Sequence, residues 1–150
     1  MSSSKHLPCV TGSAPVKNTC IYRAHEGTIG FMNIVQSSEK NIARAADLLR
    51  QGGIVSFPTE TVYGLGALIS MPKGVARIFE AKKRPFFDPL IVHILSTDQL
   101  NNLILDFPPA LERLSRRFWP GPLTIVFSKK ESVPDIVTAG LDTVAVRMPR

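Results

Sequence analysis

The chain has 150 residues, of which 44% are hydrophobic and 20% are charged. This balance indicates one folded domain and excludes both wholesale disorder and a collagen-like repeat. No apolar run approaches the roughly 20 residues that a membrane-spanning helix needs, so no membrane association is expected. Lysine and arginine number 18 against 12 aspartates and glutamates, and the net charge of +6 favours anionic partners such as phosphate-bearing ligands or RNA.

The N-terminal segment, residues 1–31, lacks the hydrophobic periods of both helices and strands. We therefore predict a disordered tail or extension outside the fold, followed by one domain at residues 32–150. Both cysteines, Cys9 and Cys20, lie in this tail, so disulfides cannot cross-link the domain, and a reducing cytoplasmic setting fits best. The first 25 residues contain three Lys or Arg side chains and no acid, which keeps an organellar transit peptide open.

The rest of the chain reads as alternating helices and strands, because apolar stripes alternate with short apolar runs. In chain order the pattern predicts a helix from the serines at 37–38 to the glycines at 52–53, a strand at 54–57, an extended segment at 62–69, a helix at 72–84, an interior strand at 90–95, helices at 96–103 and 108–118, and strands at 123–127 and 144–147. This order predicts an α/β domain with a mixed, twisted sheet flanked by helices.

One polar segment lies between two of the predicted strands. Residues 57–66 read FPTETVYGLG, with hydroxyls and an acid beside glycines that expose backbone amides and allow close approach. Such a loop suits small polar ligands, although a plain Pro/Thr turn explains it equally well. The glycines are not a dinucleotide fingerprint, since Ile69 stands where the third glycine is required, and the chain contains no P-loop motif.

Three cations end the predicted helix that precedes the next strand, at residues 82–84. They could simply oppose the helix dipole. They also run directly into a proline-bounded loop that reaches Asp88, and cations fixed on such a loop could clamp phosphates. Both interpretations stay open on the residues alone.

His93 and Arg147 each interrupt an apolar strand. A histidine in a strand is more often a satisfied core residue than a catalyst. An arginine keeps its charge, so a buried Arg147 needs an anionic partner. A ligand carboxylate or phosphate would serve, and so would Asp142 or Asp88. Further arginines lie on the predicted helix at 108–118. We interpret them primarily as a solvated charged face and, as the alternative, as an RNA-binding patch.

Several motifs of this chain occur together in one known family. They are SFPTETVYGLG at 56–66, AKKRP at 81–85, DPLIVH at 88–93, FWPGPLT at 118–124 and VAVRMP at 144–149. In order and spacing they closely resemble the YrdC-type threonylcarbamoyl-adenylate synthases, which implies a YrdC/RibB-like fold. Family members continue through a further helix and a Ser-x-Asn motif that completes the ATP pocket. Residues 32–150 are therefore expected to form a YrdC-like domain without its C-terminal part.

The resemblance implies a reaction in which L-threonine, bicarbonate and ATP, accompanied by magnesium, form threonylcarbamoyl-adenylate and pyrophosphate. A partner complex would then transfer the group to an adenosine beside the tRNA anticodon. The resemblance also implies roles for individual residues. These are Lys82 and Arg84 in catalysis at the phosphates or the bicarbonate-derived carboxylate; Thr61, His93 and Arg147 in threonine binding; and Arg84, Asp88 and Thr143 in ATP binding. Asp88 stands where the family usually has asparagine.

The chemistry agrees with these roles. Prepositioned Arg and Lys side chains can stabilise the charge that develops when an adenylate forms. The carbamate oxygen is already an anion, so His93 is expected to bind substrate and not to act as a base. No carboxylate cluster marks a metal site of the protein's own. The alternatives are a module that binds double-stranded RNA or tRNA, a related carbamoyl-transferring domain, and an inactive fragment of the same fold.

Overall fold

A computed structural model of the chain describes residues 18–22, 32–85 and 87–150, with side chains from residue 35 onward. The elements within these ranges are β1 (Asn18–Tyr22), β2 (Met32–Gln36), α1 (Glu39–Arg50), β3 (Ile54–Pro58), β4 (Tyr63–Gly66), α2 (Pro72–Lys82), β5 (Ile91–His93), a 3-10 helix (Thr97–Asn102), α3 (Pro109–Phe118), β6 (Thr124–Ser128), α4 (Asp135–Thr138) and β7 (Thr143–Arg147). No helix in this described part is long and apolar enough to cross a bilayer.

The helix boundaries follow the local signals that predicted them. The Ser38 side chain accepts a hydrogen bond from the Asn41 N–H and caps α1, and Gly52 beyond its end adopts a φ of +75°. Proline begins both α2 and α3, where its missing N–H costs nothing. The 3-10 helix begins where the Gln99 side chain accepts hydrogen bonds from the N–H groups of Leu95 and Ser96. The predicted helices are therefore confirmed.

The first sheet has the strand order β2-β1-β3-β4 and contains a strand from the predicted tail. β1 pairs antiparallel with both β2 and β3, so the prediction that residues 1–31 lie outside the fold is wrong for residues 18–22. Five residues are too few to show a hydrophobic period, but Thr19, Ile21 and Tyr22 are of types that favour strands. The rest of the predicted tail, including Cys9, lies outside the described residues.

The second sheet has the order β5-β7-β6, with β5 parallel and β6 antiparallel to β7. This mixed topology, with helices against it, confirms the predicted α/β class. One sheet face is buried in the main core. Its side chains come from alternate positions of β6 and β7: Ile125, Phe127, Val144 and Val146. The predicted interior position of β5 is wrong, because β5 is an edge strand among the described residues and Ile91 is 45% exposed.

Helix α2 and the loops around it complete the main core. Val75, Ile78 and Phe79 are buried, as the spacing of apolar residues in α2 predicts. Val75 and Phe79 pack in the same cluster as Trp119 and the buried face of the second sheet. The opposite face of that sheet carries His93, Thr143 and Arg147, and it faces away from this core. The fold thus presents three of the predicted site residues on one side of a well-supported sheet.

Candidate active site

The loop between β3 and β4 is fixed by its own hydrogen bonds. The Thr59 hydroxyl accepts from the N–H groups of Thr61 and Val62, at 3.3 and 3.2 Å, and donates to the Val62 carbonyl at 2.6 Å. The Thr59 N–H also donates to that carbonyl, at 3.1 Å. These bonds close a tight turn whose threonines restrain the backbone. The polar segment noted in the sequence is therefore a rigid platform for Glu60 and Thr61.

Phe57 lies immediately before this loop and occupies space that two glycines leave open. A Cβ atom on Gly66 would lie 2.7 Å from the Phe57 ring, and one on Gly64 would lie 3.5 Å from it. The close approach that the glycines predicted is therefore made by an aromatic ring and not by a ligand or a backbone. The same ring meets His93 edge-on, with centroids 6.2 Å apart and an interplanar angle of 80°. Phe57 thus links β4 to the end of β5.

Arg147, the last residue of β7, joins the two sheets. Its side chain is only 10% exposed, and its Nη2 donates to Glu60 Oε1 at 2.7 Å and to Thr61 Oγ1 at 3.1 Å. Its Nε donates to the Gly121 carbonyl at 3.3 Å. The prediction that a buried Arg147 needs an anionic partner is confirmed. That partner is Glu60, and neither of the two aspartates considered above forms this ion pair.

Glu60 is the site residue that the sequence analysis did not single out. The hydrogen bond from Arg147 lowers the pKa of Glu60 below its ordinary value, although partial burial opposes this shift. Its second oxygen, Oε2, accepts a hydrogen bond from the Arg150 N–H at 3.2 Å. The sequence did carry a signal: an arginine that ends an apolar strand requires a carboxylate, and Glu60 is the one acid in the polar loop.

His93 lies beside Arg147, because the parallel register pairs the two residues across β5 and β7. Thr124 of β6 is the register partner on the other side of Arg147. Side chains of register partners lie on the same face of a sheet, so His93 and Arg147 share one face. His93 is exposed, and its Nδ1 lies 3.2 Å from the Ile91 carbonyl. The structure therefore brings together all three residues of the predicted threonine set: Thr61, His93 and Arg147.

The second group of predicted residues surrounds Arg84. Lys83 ends α2 with a left-handed φ of +51°, which turns the chain away from the helix axis. Arg84 Nη2 donates to the Pro89 carbonyl at 2.9 Å, and Arg84 Nε lies 2.7 Å from Asp88 Oδ2. Although that distance defines an ion pair, the N–H direction does not reach the carboxylate, and Nε hydrogen-bonds to no described residue. Arg84 and Asp88 are brought together as predicted neighbours.

Lys82 does not contact the Arg84–Asp88 pair through any described ion pair. It is the last residue of α2, it is exposed, and no described carboxylate lies within ion-pair distance of its ammonium group. Its role at the phosphates stays a prediction.

Thr143 begins β7 and shares a face with Arg147, since the two are four residues apart on one strand. A strand rises about 3.3 Å per residue, which separates them by about 13 Å. The loop that carries Arg84 and Asp88 leads into β5, and β5 runs parallel to β7, so this loop enters the sheet at the Thr143 end. Thr143 and the entry of this loop therefore lie at the opposite end of the sheet face from His93 and Arg147. Apolar side chains lie between the two ends: Ile91, Val126 and Ala145.

The described residues contain no group of three or more His, Cys, Asp or Glu that could hold a metal ion by itself. Magnesium differs from zinc in this respect, because it keeps several waters and is commonly held by one or two carboxylates together with substrate phosphates. Asp88, half exposed beside Arg84, is a carboxylate of the kind that such an ion uses. These residues fit a magnesium ion that is held mainly by a nucleotide.

This fold and this polar sheet face define a mixed α/β protein. Comparisons with known proteins identify its family. The Sua5/YciO/YrdC family model, which carries the description telomere recombination, matches residues 47–150. The chain is 57% identical over 111 residues to a threonylcarbamoyl-AMP synthase of Pyrococcus abyssi, covering 74% of this chain and 33% of that relative. It is 48% identical over 116 residues to a threonylcarbamoyl-AMP synthase of Bacillus subtilis, covering 77% and 34%.

A solved structure agrees with these matches. Pyrococcus abyssi Sua5 complexed with L-threonine superposes with a TM-score of 0.73 at 55% identity, covering 77% of this chain and 34% of that one. The chain belongs to the Sua5/YciO/YrdC family. It spans about one third of the length of the two curated relatives named above.

Proposed function

We propose that this chain catalyses the formation of threonylcarbamoyl-adenylate and pyrophosphate from L-threonine, bicarbonate and ATP. The observation that carries the proposal is the division of one sheet face into two polar ends, about 13 Å apart along β7. One end carries Arg147 and His93 with Thr61 bound to Arg147, and the other carries Thr143, where the loop of Arg84 and Asp88 enters the sheet. The names of the relatives support the same reaction, because both similar proteins above are threonylcarbamoyl-AMP synthases.

At the first end, Arg147 would bind the threonine carboxylate. The guanidinium is a planar fork suited to that group, and its Nη1 hydrogen-bonds to no described residue. Thr61 and His93 would contact the remaining polar atoms of threonine. The L-threonine complex of Pyrococcus abyssi Sua5 supports threonine as the amino acid. His93 positions and does not need to accept a proton, because the carbamate that reacts is already anionic.

At the second end, Arg84 and Lys82 would bind the phosphates, with Asp88 and Thr143 beside the nucleotide. The threonine ammonium loses a proton to solvent, and the amine condenses with bicarbonate to give the carbamate and water. A carbamate oxygen then attacks the α-phosphorus, and the bond from that phosphorus to the pyrophosphate oxygen breaks. Negative charge grows on the departing pyrophosphate, and fixed cations lower its energy. Magnesium, when bound to the ATP phosphates, supplies further charge neutralisation. The chain's own contribution is to hold carbamate and phosphate in line.

The proposal includes a place for this reaction in the cell. We propose that it occurs in the cytoplasm and that a downstream complex transfers the threonylcarbamoyl group to tRNA. Direct contact between this chain and tRNA, through the basic charge of +6, is part of the same proposal.

The test is pyrophosphate release from ATP by the 150-residue chain, with L-threonine, bicarbonate and magnesium present or singly omitted. We expect release that requires both L-threonine and bicarbonate. Arg116→Ala is the matched control, because Arg116 is 77% exposed and pairs with Glu112 of its own helix, α3. Release that ignores threonine, or none at all, contradicts the proposal. RNA binding that weakens steeply with salt and ignores threonine would instead favour the binding-module alternative.

A further inference from the structure

We propose that Glu60 binds the α-ammonium group of the amino acid substrate, so that the Glu60–Arg147 pair selects free zwitterionic α-amino acids over simple carboxylic acids. This inference rests on the proposed function, since it presumes that the amino acid carboxylate binds at Arg147. Glu60 would then be a specificity-determining residue. A free α-amino acid carries a carboxylate and an ammonium on one carbon atom. The pair complements these charges, because the Arg147 cation would face the carboxylate and the Glu60 anion would face the ammonium.

The first observation is that the two charged groups lie side by side. Arg147 Nη2 is 2.7 Å from Glu60 Oε1, so a cation and an anion occur together at one end of the sheet face. A ligand with only a carboxylate would gain from the guanidinium but would be repelled by Glu60 at similar distance. A zwitterion whose carboxylate faces Arg147 and whose ammonium faces Glu60 is attracted by both groups.

The second observation is that Glu60 retains capacity to accept further hydrogen bonds. An ionised carboxylate offers about four lone-pair sites. The described contacts use two: Arg147 on Oε1 and the Arg150 N–H on Oε2. The side chain is 20% exposed, so a ligand at the sheet face can reach it. Because Arg147 lowers the pKa of Glu60, this carboxylate is ionised at neutral pH and can accept hydrogen bonds from the ammonium group of the incoming amino acid, before the amine is converted to the carbamate.

The third observation is that Glu60 is held and cannot simply swing aside when a ligand carboxylate arrives. The Thr59 hydroxyl closes the loop around it through the N–H groups of Thr61 and Val62. Oε2 is tied to the backbone of Arg150. A fixed carboxylate beside the guanidinium is therefore present throughout binding, and its charge has to be matched by the ligand.

The test compares two ligands that differ in the ammonium group: L-threonine and (R)-3-hydroxybutyrate, which lacks only the amine. Affinities are measured by calorimetric titration of the 150-residue chain and of Glu60→Gln, which keeps the shape of the side chain and removes its charge. We expect Glu60→Gln to weaken L-threonine binding by about tenfold or more, because a charge-assisted contact is lost. Binding of 3-hydroxybutyrate should stay constant or become tighter, so the preference for threonine falls.

Two further variants sharpen the result. Glu112→Gln makes the same substitution in the exposed Glu112–Arg116 pair of α3 and should leave both affinities unchanged. Glu60→Asp keeps the charge and should retain part of the preference. An equal loss for both ligands in Glu60→Gln would overturn the inference, because it would mean that Glu60 only holds Arg147; so would an unchanged preference. If the unmodified chain binds neither ligand, the proposed function itself fails, and this inference falls with it.

Discussion

The two arginines of the candidate site, Arg147 and Arg84, are held in different ways. Arg147 is 10% exposed, and its side-chain partners Glu60 and Thr61 are 87 and 86 residues away in the chain. Arg84 is 28% exposed, and its contacts, Asp88 and the Pro89 carbonyl, lie four and five residues ahead. Arg147 therefore joins the two sheets, whereas Arg84 is braced only by its own loop.

Substitutions of the two arginines should therefore differ in how strongly they affect the stability of the fold. If the proposed function holds, a change at Arg147 would alter both ligand binding and the junction between the sheets. A change at Arg84 alters a partly exposed local pair, and such pairs contribute little to stability. In the proposed function, Arg84 would exchange Asp88 for an incoming phosphate, while Arg147 would stay in place and add the ligand to its existing partners.

The largest effect is expected for Arg147→Ala. The substitution removes the proposed carboxylate ligand and leaves Glu60 without its cation, so threonine-dependent pyrophosphate release should fall by about a thousandfold. The unfolding temperature should fall as well, because the contact between the sheets is lost. Steady-state kinetics and thermal unfolding check both parts. Arg147→Lys keeps the charge without the fork and should recover only a small fraction of activity. Unchanged kinetics in both variants would remove Arg147 from the site.

Arg84→Ala should lower the rate of pyrophosphate release without weakening threonine binding. Loss of one preorganised cation at the phosphates should slow pyrophosphate release by about a hundredfold. L-threonine affinity and the unfolding temperature should stay close to those of the unmodified chain, since the described hydrogen bond and ion pair of the Arg84 side chain are to Pro89 and Asp88 of its own loop. The comparison fails if threonine binding falls as much as turnover does, because the two ends would then be coupled.

Local features of the fold were predictable, because their causes lie within a few residues. The Ser38 cap and the Gly52 end of α1, the prolines at the starts of α2 and α3, and the buried face of α2 all follow from short-range rules. The Arg84–Asp88 pair belongs to the same class, since a four-residue separation brings the two charges into one turn.

Features that depend on distant pairing were not predictable. β1 is a strand because β2 and β3 flank it, and its five residues alone have no period to read. β5 has an interior composition but an edge position, which only the strand order determines. Glu60 is part of a motif that the sequence shows, but the sequence does not determine which charged residue pairs with it. The fold places Arg147 beside Glu60. The motifs therefore indicated candidate site residues, and the pairing of strands determined which of their charges meet.

Gly66→Ala tests how the first sheet supports the Arg147 end. A Cβ at this position would lie 2.7 Å from the Phe57 ring, so the ring must shift toward or away from His93. We expect a loss of about 1–3 kcal/mol in the free energy of unfolding from overpacking, with a rise of a few fold in the KM for threonine. Gly64→Ala is the matched control, because its Cβ would make an ordinary contact at 3.5 Å. Equal effects in both variants would contradict the role given to Phe57. Denaturant unfolding and threonine titrations provide the two readouts.

The smallest effect is expected when the pH is lowered and the unfolding temperature is measured. The folded chain lowers the pKa of Glu60 from its ordinary 4.5, so Glu60 binds its proton less readily when folded than when unfolded. The stabilisation from the Glu60–Arg147 pair is therefore fully present above the ordinary pKa and is lost as pH falls through the lowered one. Glu60→Gln has no such titration. The difference in unfolding temperature between the unmodified chain and Glu60→Gln should thus be constant from neutral pH down to about pH 5 and should shrink below it. A difference that grows on acidification would mean that Glu60 is destabilised as an anion, and Arg147 would then not be the partner that determines its charge.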